Sequence, residues 1–444
     1  MTGSPAVDDH PIYHRPAEIL QYLIRINTTN PPGNEAACIN YINNLLAWAG
    51  IPTFILAVEP SRPNLVARLP GRGDAPPLLM YGHIDVVTTA NQKWRVDPFA
   101  GIELDGYIWG RGAMDMKGGI AMMMSAIMRA AFEGPVPAGD IVFAILCDEE
   151  NGSAYGAEYL VKNHSDTFKD IRYAVGEFGG YATYINRRRF YPIMVTEKQG
   201  CGMVATIQGP GGHGAWPVRG GIMAKVSRFL QNLERRLPVH ITPVAKEQVR
   251  GTAEGLPAPL KQVFMQLLIP GLTNSVLDLL GSQARMFDPI LHNTAAATGI
   301  HGGEGFNIMP GQVVINLDCR LLPGFTPDDL VTELRHVVGS DIDLAVTHFS
   351  PGPTEPNMGL YETLAAILRE ADPGGVPTPM LFPAVTDARL FSKLGIQTYG
   401  FTPMKLPPDV ECDKLFHAAN ERIPVEALDF GARAIYKLLQ RFGD

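Results

Sequence analysis

Apolar positions in the first half of the chain follow two alternating periods. Ile19, Leu20, Leu23 and Ile24 recur at helical spacing, as do Ile39, Ile42, Leu45 and Leu46. Apolar runs of strand length follow at 53–58, 64–69, 77–81, 141–147 and 173–175, with helical stretches at 116–132 and 154–163 between the later ones. Strands alternating with helices predict an α/β sheet with mostly covered faces. In such open sheets ligands bind beyond the carboxyl ends of the strands. Three of these runs lead straight into clusters of His, Asp and Glu, so the chemistry is expected there.

The pattern changes near Val195. Residues 202–208 read as a strand, 209–217 as a turn-rich loop, 220–236 and 257–282 as helical, and 313–320 as a strand with apolar alternation. After Pro323-Gly324 helices return near 327–338, 360–371 and 424–441. A smaller domain inserted into a larger one explains this order, with expected boundaries 1–196, 197–324 and 325–444. No internal repeat is visible.

Bulk properties narrow the function. The chain has 444 residues, 46% hydrophobic and 18% charged, a soluble globular balance. A net charge of −8 offers no basic surface for phosphates, which argues against nucleic acid as a partner. No apolar stretch is long enough to span a bilayer. The first ten residues, acidic and polar, do not read as a secretory leader. Five scattered cysteines form neither a disulfide framework nor a thiolate zinc site, and the expected compartment is the cytoplasm.

Five motifs carry candidate chemistry. In Tyr81-Gly82-His83-Ile84-Asp85, His83 and Asp85 share one strand face, and a metal-bound imidazole usually gives its other N–H to a carboxylate, which Asp85 could be. The alternative is a strand-end histidine satisfied by its neighbour. Around Asp115, the run Gly110-Arg111-Gly112-Ala113-Met114-Asp115-Met116-Lys117-Gly118-Gly119 lets the backbone turn sharply before an apolar helix. It lacks the spacing of a nucleotide loop, and the alternative for Asp115 is a helix cap. The apolar run 141–147 ends in Asp148-Glu149-Glu150, where adjacent like charges repel unless a cation sits among them. One Glu can then bind metal while its neighbour acts as general base, the alternative being a solvated acidic loop. Glu177 follows another strand, and His417 precedes the last helix. Nitrogen and oxygen donors without thiolate suit two zinc ions sharing a carboxylate, with cobalt or manganese as substitutes.

Taken in order, these motifs resemble the aminoacylase/carboxypeptidase family of di-zinc metallopeptidases, nearest its carboxypeptidase S and N-acyl amino acid hydrolase branch. The resemblance implies a zinc-peptidase-like mixed sheet covered by helices, with an inserted α/β lid often used for dimerisation. It implies two zinc ions per chain, with His83, Asp115 and Glu177 on one side and Asp115, Glu150 and His417 on the other. Asp115 would bridge, Asp85 would orient His83, Glu149 would be the general base, and the Asp115–Met116 peptide is a candidate cis bond.

In the inserted region the resemblance nominates His213, in Gly212-His213-Gly214-Ala215-Trp216-Pro217, for the oxyanion. Gly214 and Ala215 stand where the family has small hydroxyl residues, which alters the loop. Asn307, Arg320 and Arg389 are nominated for substrate, Arg389 through the carboxylate that a guanidinium fork suits. For the two arginines the alternative is ordinary ion pairing. The leucine-rich stretch 238–300 is expected to build core rather than line a groove, Met122, Met123, Met124 and Met128 to fill core, and 187–189 to be a solvated charge run. The expected function is hydrolysis of an amide beside a free carboxylate in an N-acyl amino acid or short peptide. Carboxypeptidase or dipeptidase action is the alternative, and a non-catalytic metal-binding scaffold the distant one.

Overall fold

The structure, a computed structural model, describes residues 11–353 and 355–443. The N-terminal segment read above as lacking a leader lies outside them. No helix is long and apolar enough to cross a membrane among the described residues.

The chain forms two compact units. Among the described residues the first comprises 11–195, 357–379 and 386–443, and the second 196–353, 355–356 and 380–385. The second unit therefore extends past the expected end at 324. Helix Pro327–Val338 and strand Asp343–Ser350 belong to it, because Leu330, Leu334, Val338 and Leu344 are buried with Cys201, Ile207 and Ile315.

In the first unit the sheet has nine strands. Its centre is parallel: Ile141–Leu146, Leu78–His83, Tyr173–Gly176 and Gln397–Gly400 lie side by side in that order. Ile141–Leu146 and Leu78–His83 are buried along their whole length, which is why they read as unbroken apolar runs rather than alternating ones. Parallel strands deliver their carboxyl ends to one edge. His83, the acids at 148–150 and Glu177 are therefore brought to the same edge by topology alone.

Helix Lys117–Phe132 packs on this sheet and against the last helix, Val425–Arg441. Met122, Met123, Met124 and Met128 are fully buried in it, as expected. Arg187 and Arg188 are exposed, and the expectation of a solvated charge run is corrected for Arg189. Strand Arg188–Glu197 begins there, and Arg189 pairs with the buried Asp372.

The second unit has a four-stranded antiparallel sheet, ordered Thr294–His301, Gln312–Leu321, Gln199–Gln208 and Asp343–Ser350. Its long helical stretch is broken into Ala258–Met265 and Pro270–Leu280, Pro270 starting the second helix. Phe264, Leu267, Val276 and Leu277 are buried there, whereas Ile269, Leu272 and Leu279 are exposed.

Candidate metal centre and active site

The turn before helix Lys117–Phe132 explains how Asp115 is placed. Gly112 has φ +86°, and a Cβ on Gly118 would stand 2.2 Å from the Ala113 carbonyl oxygen, so both positions need glycine. Asp115 makes no capping bond to that helix, which removes the helix-cap alternative. The Asp115–Met116 peptide is cis.

Asp115 instead lies between two imidazoles. His83 Nε2 is 3.2 Å from its Oδ1, and His417 Nε2 is 3.2 Å from its Oδ2. His83 Nε2 also faces Glu177 Oε2 at 3.4 Å, and His417 Nε2 faces Glu150 Oε2 at 3.2 Å. Two His–carboxylate groups thus share one aspartate. His83, Asp115, Glu150 and Glu177 are nearly or largely enclosed, while the His417 side chain is about half exposed at 53%.

The electrostatics of this cluster are those of a cation site. Burial alone disfavours a charged His83, yet hydrogen bonds with Asp115, Asp85 and Glu177 push its pKa well above the usual imidazole value. Asp115 and Glu150 push His417 up to about 10. Burial and then its acidic neighbours raise Glu177 to about 7, and burial followed by Glu177 lifts Glu149 far above the carboxylate range. Imidazolium charge goes part of the way to balancing these acids, and two divalent ions would do it better. Glu150 Oε1 is buried without a hydrogen-bond partner. Ligand-capable atoms of His83, Asp115 and Glu150 lie within 4.8 Å of one another, as do those of His83, Glu149 and Glu177. The donor set fits a dinuclear centre of borderline or hard cations.

Glu149 differs from the other acids at this edge. It is half-buried, and its carboxylate makes no hydrogen bond or ion pair with the described residues. Its backbone is fixed instead, because Asp85 accepts the N–H of Glu149 at 3.1 Å and of Glu150 at 3.2 Å. Asp85 therefore does more than the sequence suggested. His83 Nδ1 meets the Asp85 carbonyl oxygen at 3.0 Å, closer than the carboxylate Oδ1 at 3.5 Å, so the main chain shares in orienting the ring.

Three supports escaped the sequence reading. Asn30 Nδ2 donates to both Asp85 Oδ2 and Asp148 Oδ1, at 2.9 and 3.0 Å. Asp148 faces away from the cluster to Arg62 at 3.0 Å, so the cation beside this member of the acidic run is a guanidinium. Glu421, wholly buried, accepts the N–H groups of Gly112, Met114 and Asp115 and a 2.6 Å bond from Arg111 Nη1. Arg111 Nη2 in turn donates to the His417 carbonyl at 3.2 Å, tying the two ligand loops together. Arg111 stood in the motif quoted around Asp115, and Glu421 lies four residues after His417, whereas no local signal marks Asn30.

Arg389 is half-buried in the first unit and donates to the Thr386 carbonyl at 2.6 Å. The remaining nominated residues belong to the second unit. His213 is exposed on a two-residue strand paired with Ile308–Met309, and its Nδ1 accepts the Ala215 N–H at 3.0 Å. That bond leaves the ring proton on Nε2 as a donor. Asn307 is exposed, and its carbonyl accepts from Gly214 N at 2.7 Å. Arg320 is held by Asp318, with Nε–Oδ1 and Nη2–Oδ2 both 3.0 Å.

Two metal-sized groups at the carboxyl edge of a mixed sheet define a metallohydrolase architecture, and comparison with known proteins gives its family. Peptidase family M20/M25/M40 matches residues 79–441, and the chain belongs to that family. The human N-fatty-acyl-amino acid synthase/hydrolase PM20D1 is 25% identical over 82% of this chain and 74% of its own length. Mouse aminoacylase-1 is 23% identical over 95% of this chain and 93% of its own. The M20 family metallo-carboxypeptidase Sso-CP2 from Sulfolobus solfataricus shares the fold, with a TM-score of 0.70 at 15% identity over 96% and 98% of the two chains. The protein is a metal-dependent hydrolase of the amidohydrolase and peptidase type.

Proposed function

We propose that this chain hydrolyses N-acyl amino acids at the amide bond next to a free carboxylate. The observation that carries the reading is the pair of His–carboxylate groups sharing Asp115, with Glu149 unpaired beside them. Similarity over most of the chain to proteins named for acyl-amino acid chemistry supports the acyl side over the dipeptidase alternative.

In this reading His83, Asp115 and Glu177 hold one ion and Asp115, Glu150 and His417 the other, with zinc as the native metal and cobalt or manganese as substitutes. Bound divalent ions supply Lewis acidity, which acidifies a water and polarises a carbonyl. Glu149 takes the proton of the attacking water and returns it to the leaving nitrogen, a role that a raised pKa favours. Arg389 receives the substrate carboxylate, with Asn307 and Arg320 assisting. Arg320 is already engaged by Asp318, so its part is the more indirect. The Nε2–H of His213 stabilises the oxyanion, the role the family resemblance gives it.

The uncovered sheet edge Thr294–His301 supports a homodimer through the second unit. Five buried thiols support a reducing compartment such as the cytoplasm.

The test is hydrolysis of N-acyl amino acids and dipeptides by enzyme stripped of metal and then loaded with zinc. Zinc-restored cleavage that favours acyl substrates is expected. Preference for dipeptides selects the alternative, and failure to bind zinc overturns the site.

A further inference from the structure

The turn carrying Glu149 and Glu150 has a tie that the roles above do not use. Ser153 is fully buried with φ +68°, and its N–H donates to the Asp148 carbonyl at 2.6 Å. Its Oγ donates to Asp387 Oδ1 at 2.5 Å, across 234 positions of sequence. Asp387 is 1% exposed and lies two residues before Arg389, whose guanidinium closes the same segment onto the Thr386 carbonyl. The other oxygen, Asp387 Oδ2, is buried without a hydrogen-bond partner. Beyond its own burial, the charge of Asp387 also stands near enough to Glu149 and Glu177 to oppose their ionisation. A buried carboxylate placed beside others of like charge is costly, and a neutral residue would fill the space more cheaply. What an apolar residue there could not supply is the bond to Ser153.

We propose that Asp387 is a positioning residue that, through Ser153, registers the Glu149–Glu150 turn against the segment carrying Arg389. The proton acceptor and the carboxylate clamp are thereby set at a fixed separation, which is what a substrate with both an amide and a free carboxylate requires. The inference rests on the roles proposed above for Glu149 and Arg389.

The experiment compares Ser153→Ala, Asp387→Ala and Asp387→Asn in the zinc-loaded full chain. Losing a hydrogen bond to a buried charge should lower kcat about tenfold or more in the two alanine variants, with KM within about threefold and zinc content unchanged. Asp387→Asn keeps an oxygen for Ser153 Oγ and should recover most of kcat. Hydrogen exchange reads the same tie without substrate. The amides of Asn151, Gly152 and Ser153, held by the Asp148 and Glu149 carbonyls, should exchange about tenfold faster in the alanine variants and stay protected in Asp387→Asn.

Unchanged exchange in Ser153→Ala overturns the proposal, and that variant keeps the test open should Asp387→Ala fail to fold. Equal loss in Asp387→Asn and Asp387→Ala also overturns it, since charge rather than the bond would then matter. A response in exchange from a wild-type protein that cleaves nothing in the panel supports the tie and rejects the functional reading.

Discussion

Arg111 offers the sharpest test of how the centre is built. Its guanidinium and Glu421 are 1% and 0% exposed and meet at 2.6 Å. Arg111→Met keeps the length of the side chain but leaves a buried carboxylate facing three amides alone. Removing one partner of a buried pair costs about 3–5 kcal/mol. Glu421 keeps its bonds from Gly112, Met114 and Asp115, and burial already raises its pKa toward the neutral form. The lower end, about 3 kcal/mol, is therefore expected. At roughly 2–4 °C per kcal/mol for domains of this general size, Tm should fall by about 6–12 °C.

The same substitution removes one of two donors to the His417 carbonyl, leaving Gln92 Nε2 at 2.8 Å, so zinc affinity should fall about tenfold, the lower end for supports of metal ligands. Calorimetric melting of metal-free protein and competitive zinc titration measure the two effects separately. The Arg95–Asp105 pair, with both side chains more than half exposed, is the control, and Arg95→Met should cost less than about 1 kcal/mol. Arg111→Met melting within 2 °C of the wild type (roughly 1 kcal/mol) with unaltered zinc affinity would refute the reasoning.

Two further outcomes follow from the same geometry. Glu149→Gln should bind zinc as the wild type does while kcat drops about 10²–10⁴-fold, and turnover within tenfold of wild type rejects it as the base. At pH 7 the metal-free protein carries protons on His83 and His417, the latter raised to about 10, and a partial one on Glu177, raised to about 7, so zinc uptake should release at least two protons per chain. The contacts of charged His417 stabilise the metal-free fold below pH 6.5 and are lost as pH rises through about 10, so zinc affinity rises over that window. Titration calorimetry in buffers of different ionisation heat counts the protons, and a count of zero refutes the linkage.

The parts of the fold legible in the sequence are those where one segment carries its own signal. Runs such as 141–147 are apolar without alternation because both faces of a parallel strand are covered, and each ends in the residues it presents. The boundary of the second unit was not legible. Helix Pro327–Val338 shows an apolar face in sequence, but periodicity names the face and not what it packs on. Leu330 and Leu334 fit either unit by pattern, and only the fold shows them joining Ile315 and Leu344. Arg189 misled for the same reason. A charge run reads as solvated until a buried partner such as Asp372, far along the chain, is brought to it.

The centre divides in the same way. His83, Asp115, Glu150, Glu177 and His417 carry donor atoms whose chemistry is visible in the residue type, and short motifs fix their neighbours. Their supports act through bonds that span 55 positions from Asn30 to Asp85 and 310 from Arg111 to Glu421. Asn30 and Arg62 are unremarkable residue types with no motif around them, and their meaning comes from burial against carboxylates. A buried acid needs a donor from somewhere, so each carboxylate at the sheet edge implied a partner that the sequence did not name. Asp148 shows the consequence. The acidic run was read as three charges around a cation, but only two of its members turn to the cluster, because Arg62 and Asn30 satisfy the third.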